Sequence, residues 1–210
     1  DFYTHDNAIA QAKLALEEGA DILDIGGEST RPGSEPVDEP TELERILPVI
    51  GALASEGAPL SCDTRKPGVM QQAIAAGAHI INDISSLTYH PDARKTAAEL
   101  GVPVILMHSK GEPKVMQKAP SYENVCLDVF DELQANITAC EQAGIPRARI
   151  IADPGIGFGK TLAHNLALLS GLSLFHGLGL ATKILDYDIA PYGLVPNLLA
   201  FNVGVEFGQI

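Results

Sequence analysis

The 210 residues contain no tryptophan, only 5% aromatic side chains and three cysteines. Cys62, Cys126 and Cys140 are odd in number and lack CxxC spacing. They predict reduced thiols in a cytoplasmic protein rather than a disulfide framework or a zinc site. Positive charge is scarce too: 14 Lys and Arg face 27 Asp and Glu, a formal net charge of −13. That balance argues against nucleic acid and anionic membrane as partners. An anionic small molecule would need a local site, positive or rich in N–H groups, built against the overall field. No apolar run reaches the roughly 18 residues of a membrane-spanning helix, and no basic, apolar leader stands at the start, so neither feature is expected. The six histidines show neither HxH nor HExxH metal spacing. No serine sits in a nucleophile elbow with a matching His and acid.

What the sequence has is alternation. Short apolar runs at Asp21–Gly26, Leu60–Asp63, His79–Ile84, Val102–His108 and Arg149–Asp153 are bounded by Gly or Pro, as strands buried on both faces are. Between them lie helical patterns. One carries Ile9, Ala12 and Leu16 before a stop at Gly19. The next is Leu43, Ile46, Leu47 and Ile50, behind a capping box of Thr41 and Glu44 and with a bend or early end expected at Pro48. Further helices are expected from Pro67 toward Ala76, at Asp92–Leu100, at Tyr122–Ala143 and at Thr161–Ser170. Uninterrupted strand–helix–strand order means parallel pairing with right-handed crossovers, in an open doubly wound sheet or a closed (β/α)8 barrel. The polar clusters choose between them. Glu28-Ser29-Thr30-Arg31, Asp63-Thr64-Arg65-Lys66, Asn82-Asp83, His108 and Asp153 follow five successive strands. A barrel gathers all its strand ends at one mouth, whereas an open sheet uses one or two switch points.

Asp63, Asn82 and Asp153 can each be read as a helix cap. Together, after apolar strands, they suit a flat heterocycle with amide-like and amidine-like edges, since Asp accepts paired N–H bonds and Asn both donates and accepts. Gly26–Gly33 reads as an anion loop: glycines let the backbone approach, Ser29 and Thr30 offer hydroxyls, and Arg31 offers a forked cation. A mobile surface loop is the alternative. Asp153-Pro154-Gly155-Ile156-Gly157-Phe158-Gly159-Lys160-Thr161 is not a phosphate-binding P-loop, because Pro154 stands where the first glycine is required. Phe158 between glycines reads instead as an aromatic wall, with Lys160 near the following helix start. His108 reads as a structural histidine, with catalysis as the alternative.

The strings GGESTRPG (26–33), CDTRKP (62–67), IINDIS (80–85), ILMHSKGEPKVMQ (105–117) and ADPGIGFGKT (152–161) resemble the dihydropteroate synthase family of folate biosynthesis. The resemblance runs in order from about residue 4 to about residue 180. It implies a pterin-binding (β/α)8 TIM barrel over residues 1–180 and a transferase that joins 6-hydroxymethyl-7,8-dihydropterin diphosphate to 4-aminobenzoate, releasing pyrophosphate with Mg2+. It further implies that Asp63, Asn82 and Asp153 hold the pterin, that Thr30 and Arg31 shape the aminobenzoate and diphosphate sites, and that Phe158 lies near the aminobenzoate ring. Ser29 and Met107 join the implied substrate contacts, and Asp63 and Arg31 the implied catalytic ones. A homodimer and sensitivity to sulfonamides are family expectations. No metal ligands are assigned, because the family's Asn-containing Mg2+ loop has no counterpart. The family's Ser-Arg-Lys and Arg-x-His strings are also missing, and residues 181–210 read as a divergent apolar tail. Only four of the 41 charged side chains lie beyond residue 160. A partial barrel and a non-catalytic pterin-binding protein are therefore alternatives, with a pterin-dependent methyltransferase as a third.

Overall fold

The structure is a computed structural model that describes residues 4–30, 34–111, 116–117 and 119–171. Helix α1 (His5–Glu17) starts where Thr4 accepts a hydrogen bond from Asn7 N. The chain then turns at Gly19, whose φ of +99° suits a residue without Cβ. Strand β1 (Leu23–Gly26) follows, then helix α2 (Glu39–Leu53).

The predicted Thr41–Glu44 capping box is corrected here. Asp38 caps α2, accepting from Thr41 N at 3.1 Å, and Pro40 occupies the first turn, where its missing N–H costs nothing. Nor does Pro48 shorten the helix, which continues to Leu53. A proline at 48 leaves the Glu44 carbonyl without its helical donor. The His5 ring lies 3.0 Å from that oxygen and takes the place, tying α1 to α2.

The remaining units are β2 (Leu60–Asp63), α3 (Pro67–Ala76), β3 (Ile80–Asp83), α4 (Ala93–Leu100), β4 (Val104–Met107), α5 (Val125–Gln142), β5 (Ile150–Asp153) and α6 (Leu162–Ser170). Gly77, Gly101 and Gly144 stop α3, α4 and α5 with positive φ, as their positions in the sequence predict.

All five strands are parallel, in the spatial order β1-β2-β3-β4-β5. Sequential order with right-handed crossovers puts every helix on one side of the sheet. A doubly wound sheet would reverse its order at a switch point, and none does among the described strands. Five parallel strands in sequential order are the arrangement of consecutive βα units in a (β/α)8 barrel, whose strand ends share one mouth.

Register settles the two faces. Leu60 and Cys62, Ile81, Val104 and Leu106, and Ile150 and Ala152 pack into the main core with Ile46, Ile50, Met70, Leu133 and Ile137 from the helices. Side chains alternate along a strand. Asp24, Ser61, Asp63, Asn82, Met107 and Asp153 therefore point to the other, concave face. The pairings Asp24↔Ser61, Asp63↔Asn82 and Met107↔Asp153 keep them in adjoining rows. Among the described residues no helix is long and apolar enough to cross a membrane. The expected tail at 181–210 lies outside the described residues, as does Arg31.

Candidate functional site

On the concave face β1, β2 and β3 bring together Asp24, Ser61, Asp63 and Asn82. Asn82 Nδ2 donates to Asp24 Oδ2 at 3.1 Å. A Cβ at Gly26 would lie 3.3 Å from the Asp63 Cβ, so glycine leaves Asp63 its place at the rim. Burial raises Asp24, with Ser61 and Asn82 partly offsetting it. Asp63 rises well above the usual carboxylate range, through burial and then through Asp24, Asp83 and Glu42; Arg65 counters only in part. Two close buried carboxylates cannot both ionise cheaply, so the cluster holds a proton readily. Asp24 Oδ1 and Ser61 Oγ are buried with no aligned hydrogen bond in the protein. Unmet acceptors facing a lumen are what a ligand with adjacent N–H donors satisfies.

Sequence reasoning found Asp63 and Asn82 here but missed Asp24. The signal was an acid inside the apolar run Asp21–Gly26, in step with the strand-end positions. Asp83, grouped with Asn82 in the sequence, faces the other way. It is fully buried toward the helices and accepts from Ser85 N and Ser85 Oγ, both at 2.6 Å.

Asp153 ends β5 beside Met107 of β4. Its Oδ1 accepts from Gly155 N at 2.8 Å, and burial raises its pKa. Met107 and Phe158 join Ile84 and Met116 in a second, small apolar cluster at the mouth. Ser86 Oγ donates to the Met107 carbonyl at 2.9 Å and Ser109 Oγ to the Ile84 carbonyl at 3.0 Å, fastening these strand ends to each other. The polar group on β1–β3 and this apolar group on β4–β5 thus lie side by side, a wall for stacking beside a row of hydrogen-bonding groups.

The anion loop leaves β1 through a charged anchor. Gly27 has no room for a Cβ, which would lie 2.9 Å from Glu42 and Ile46, and Arg45 Nη1 donates to the Gly27 carbonyl at 2.8 Å. Glu28 accepts from Arg65 and Lys66, and Lys66 also reaches Glu42. Burial pushes Glu28 up, but Lys66 and Arg65 outweigh it and hold it below the usual range. The Arg65 guanidinium also lies 4.1 Å from the centre of the Tyr89 ring. Thr30 is buried and Ser29 half-buried behind this anchor. Arg31, the predicted forked cation, is not among the described residues. Sequence reading gave Arg65 and Lys66 no partner, because Glu28 and Glu42 lie on elements joined only by the fold.

His108 and Lys160 are both buried. Lys160 Nζ lies 3.0 Å from His108 Nδ1, so that nitrogen accepts and the ring proton sits on Nε2, which faces Glu132 Oε2 at 3.0 Å. Burial, then Lys160, pulls His108 down to about 3, so the ring is neutral. Lys160 is the partner of His108 in this buried contact. Among the described residues no group of three or more His, Cys, Asp or Glu could hold a metal ion.

The pterin-binding enzyme family matches residues 1–185. The dihydropteroate synthase of Escherichia coli is 48% identical over 171 residues, covering 81% of this chain and 60% of that protein. That of Bacillus subtilis is 43% identical over 175 residues, covering 83% and 59%. The chain spans about 60% of the length of these curated relatives. Among solved structures, the Yersinia pestis dihydropteroate synthase in complex with a sulfonamide drug superimposes with a TM-score of 0.82 at 40% identity, covering 98% of this chain and 78% of that one. The Xanthomonas albilineans enzyme in complex with 7,8-dihydropteroate gives 0.74 at 38% identity, covering 98% and 75%.

Proposed function

We propose, from the premise that the chain belongs to the pterin-binding enzyme family, that it serves as a dihydropteroate synthase. It condenses 6-hydroxymethyl-7,8-dihydropterin diphosphate with 4-aminobenzoate to give 7,8-dihydropteroate and pyrophosphate. The observation that carries this reading is the row Asp24, Ser61, Asp63 and Asn82, in which Asp24 Oδ1 and Ser61 Oγ are buried without an aligned hydrogen bond, beside the Met107–Phe158 wall. The pterin would sit on that row and against Asp153, its ring N–H groups replacing the water that the carboxylates lose. Aminobenzoate would lie against Phe158, with Ser29, Thr30 and Arg31 around the diphosphate.

In the reaction the bond between the pterin methylene and the diphosphate oxygen breaks, and its electron pair leaves with pyrophosphate. The aminobenzoate nitrogen forms the new bond to the methylene carbon and sheds a proton to solvent. The Asp24–Asp63 pair, which keeps negative charge while it shares a proton, stabilises positive charge developing on the pterin, and Arg31 takes charge on the leaving group. No covalent enzyme intermediate is required, so positioning and electrostatics supply the acceleration. Mg2+ belongs to this reading as a counter-ion to the diphosphate, which would supply most of its ligands. Pairing of two copies and a cytoplasmic setting accompany the reading; the free thiols fit the latter.

The test couples pterin titration to a pyrophosphate-release assay containing 4-aminobenzoate. Saturable pterin binding with aminobenzoate-dependent release is the expected result. Binding without release makes this a pterin-binding protein and not a synthase. Preference for methyltetrahydrofolate over the pterin diphosphate would move it to the methyltransferases. Asp153→Ala is expected to abolish pterin binding, and unchanged affinity sinks the pocket assignment.

A further inference from the structure

The loop between β5 and α6 turns on three left-handed glycines, Gly155, Gly157 and Gly159, with φ of +66°, +92° and +61°. Glycine loses the most backbone freedom when such a loop is ordered, so its shape needs an internal tie. That tie is Lys160. Its buried ammonium lies 2.8 Å from the Gly155 carbonyl oxygen, 2.9 Å from that of Phe158, 3.2 Å from that of His108 and 3.0 Å from His108 Nδ1. Four acceptors meet three N–H donors, so none is left to reach a substrate phosphate. The cation is turned into the protein, closing the loop on itself and onto the end of β4. Phe158 is the residue whose carbonyl it holds, and the ring of Phe158 packs against Met107, Ile84 and Met116.

On the reading of the site as a dihydropteroate synthase, we propose that Lys160 is a positioning residue that fixes Phe158 in the wall of the aminobenzoate subsite. It acts through the loop it ties and touches neither substrate. Other bonds hold the loop from outside: Tyr122 Oη donates to the Gly159 carbonyl at 2.8 Å, Gly157 N to Asn165 Oδ1 at 2.9 Å, and Gln117 to the Gly157 carbonyl. None of them grips Phe158 itself. Asp153 Oδ1 accepts from Gly155 N, so the pterin side shares Gly155 with the tie but is also held by its own place at the end of β5.

Burial lowers Lys160 to about 7, against the opposing pull of Asp153 and Glu132. The charged form binds carbonyl oxygens more strongly than the neutral amine, so the tie slackens as pH rises through that value. The titratable groups facing Lys160 are His108 just after β4, Asp153 from β5 and Glu132 from α5, with Lys110 beyond His108 and Tyr122 beside its ring. His108 at about 3 and Tyr122 at about 12 do not change charge between pH 6 and 8.5.

The test compares wild type, Lys160→Met and Lys160→Gln in the full chain, with separate KM values for aminobenzoate and the pterin diphosphate between pH 6 and 8.5. The expected wild-type result is an aminobenzoate KM that climbs with pH. Lys160→Met raises that KM about tenfold, because small misplacements of a binding wall are costly, and it removes the pH dependence. The pterin diphosphate KM moves by no more than about threefold. Lys160→Gln, with two N–H donors, falls between. A flat wild-type profile, or equal rises in both KM values, overturns the proposal. Hydrogen exchange of the amides at 155–159 is measured alongside and needs no turnover. If the wild type binds no pterin and releases no pyrophosphate, the synthase reading fails, and exchange alone decides Lys160: faster exchange in Lys160→Met supports the tie, unchanged exchange overturns it.

Discussion

Asp83 shows what two residues side by side in one string can mean. It follows Asn82 directly, yet alternation turns it toward the helices, where burial raises its pKa to about 6 while Ser85 and Arg65 oppose the rise. Its folded pKa exceeds the unfolded one, so its contribution to stability is complete below about pH 4 and is lost as pH climbs through about 6. The shift corresponds to order 3 kcal/mol between those limits. Asp83→Asn should therefore flatten the fall in Tm between pH 5 and 8, as read by calorimetry. An undiminished slope in the variant would assign that fall to Asp24 and Asp63 instead. Gly155 gives a second expectation. Its φ is +66° and a Cβ there would collide with the His108 carbonyl oxygen. Gly155→Ala should cost about 2–4 kcal/mol in urea unfolding, combining left-handed strain with overpacking against backbone.

Elements are held to one another by groups that local sequence does not pair. Lys66 heads α3, Glu42 lies in α2 and Glu28 follows β1; the fold alone makes them one buried ion network. Removing one charge strands the others, which is why breaking such pairs costs about 3–5 kcal/mol. Glu28→Gln is expected near the lower end, since Glu42 remains for Lys66, and should be read from urea midpoints at pH 7. Glu28 is held below its ordinary pKa, so its contribution is present above about pH 4.5 and is lost as pH falls through the lowered value. Wild type and variant should converge in stability at strongly acid pH. A gap that persists there would mean that packing, and not charge, anchors the loop. Pro48 is the same lesson in helix α2: the local rule breaks the helix, while His5 from another helix meets the orphaned carbonyl.

In the whole molecule, the order of five parallel strands decides where chemistry can occur. Helices cover one face, and the other becomes a lumen with every strand end at one mouth. Cys62 and Cys140 lie in the helix-facing core and Cys126 is half-buried. A thiol reagent should modify Cys126 first and reach the other two only at the rate of global unfolding, followed by mass spectrometry under native conditions. Early modification of Cys62 would contradict the packing of β2 against the helices.

The strand–helix alternation, the helix stops at Gly77, Gly101 and Gly144, and the strand-end positions of Asp63, Asn82 and Asp153 were all readable along the chain. They depend on neighbours only a few residues away: periodicity, caps and left-handed glycines. Which face each strand shows to the concave side was decided by register and packing against the helices. Those brought Asp24 into the cluster and turned Asp83 out of it. The partners of Lys66 and Lys160 were likewise settled only in three dimensions. A buried charge must be neutralised or hydrogen-bonded by whatever the fold places beside it: for Lys66 those groups come from just after β1 and from α2, and for Lys160 from its own loop and from His108, 52 residues away along the chain.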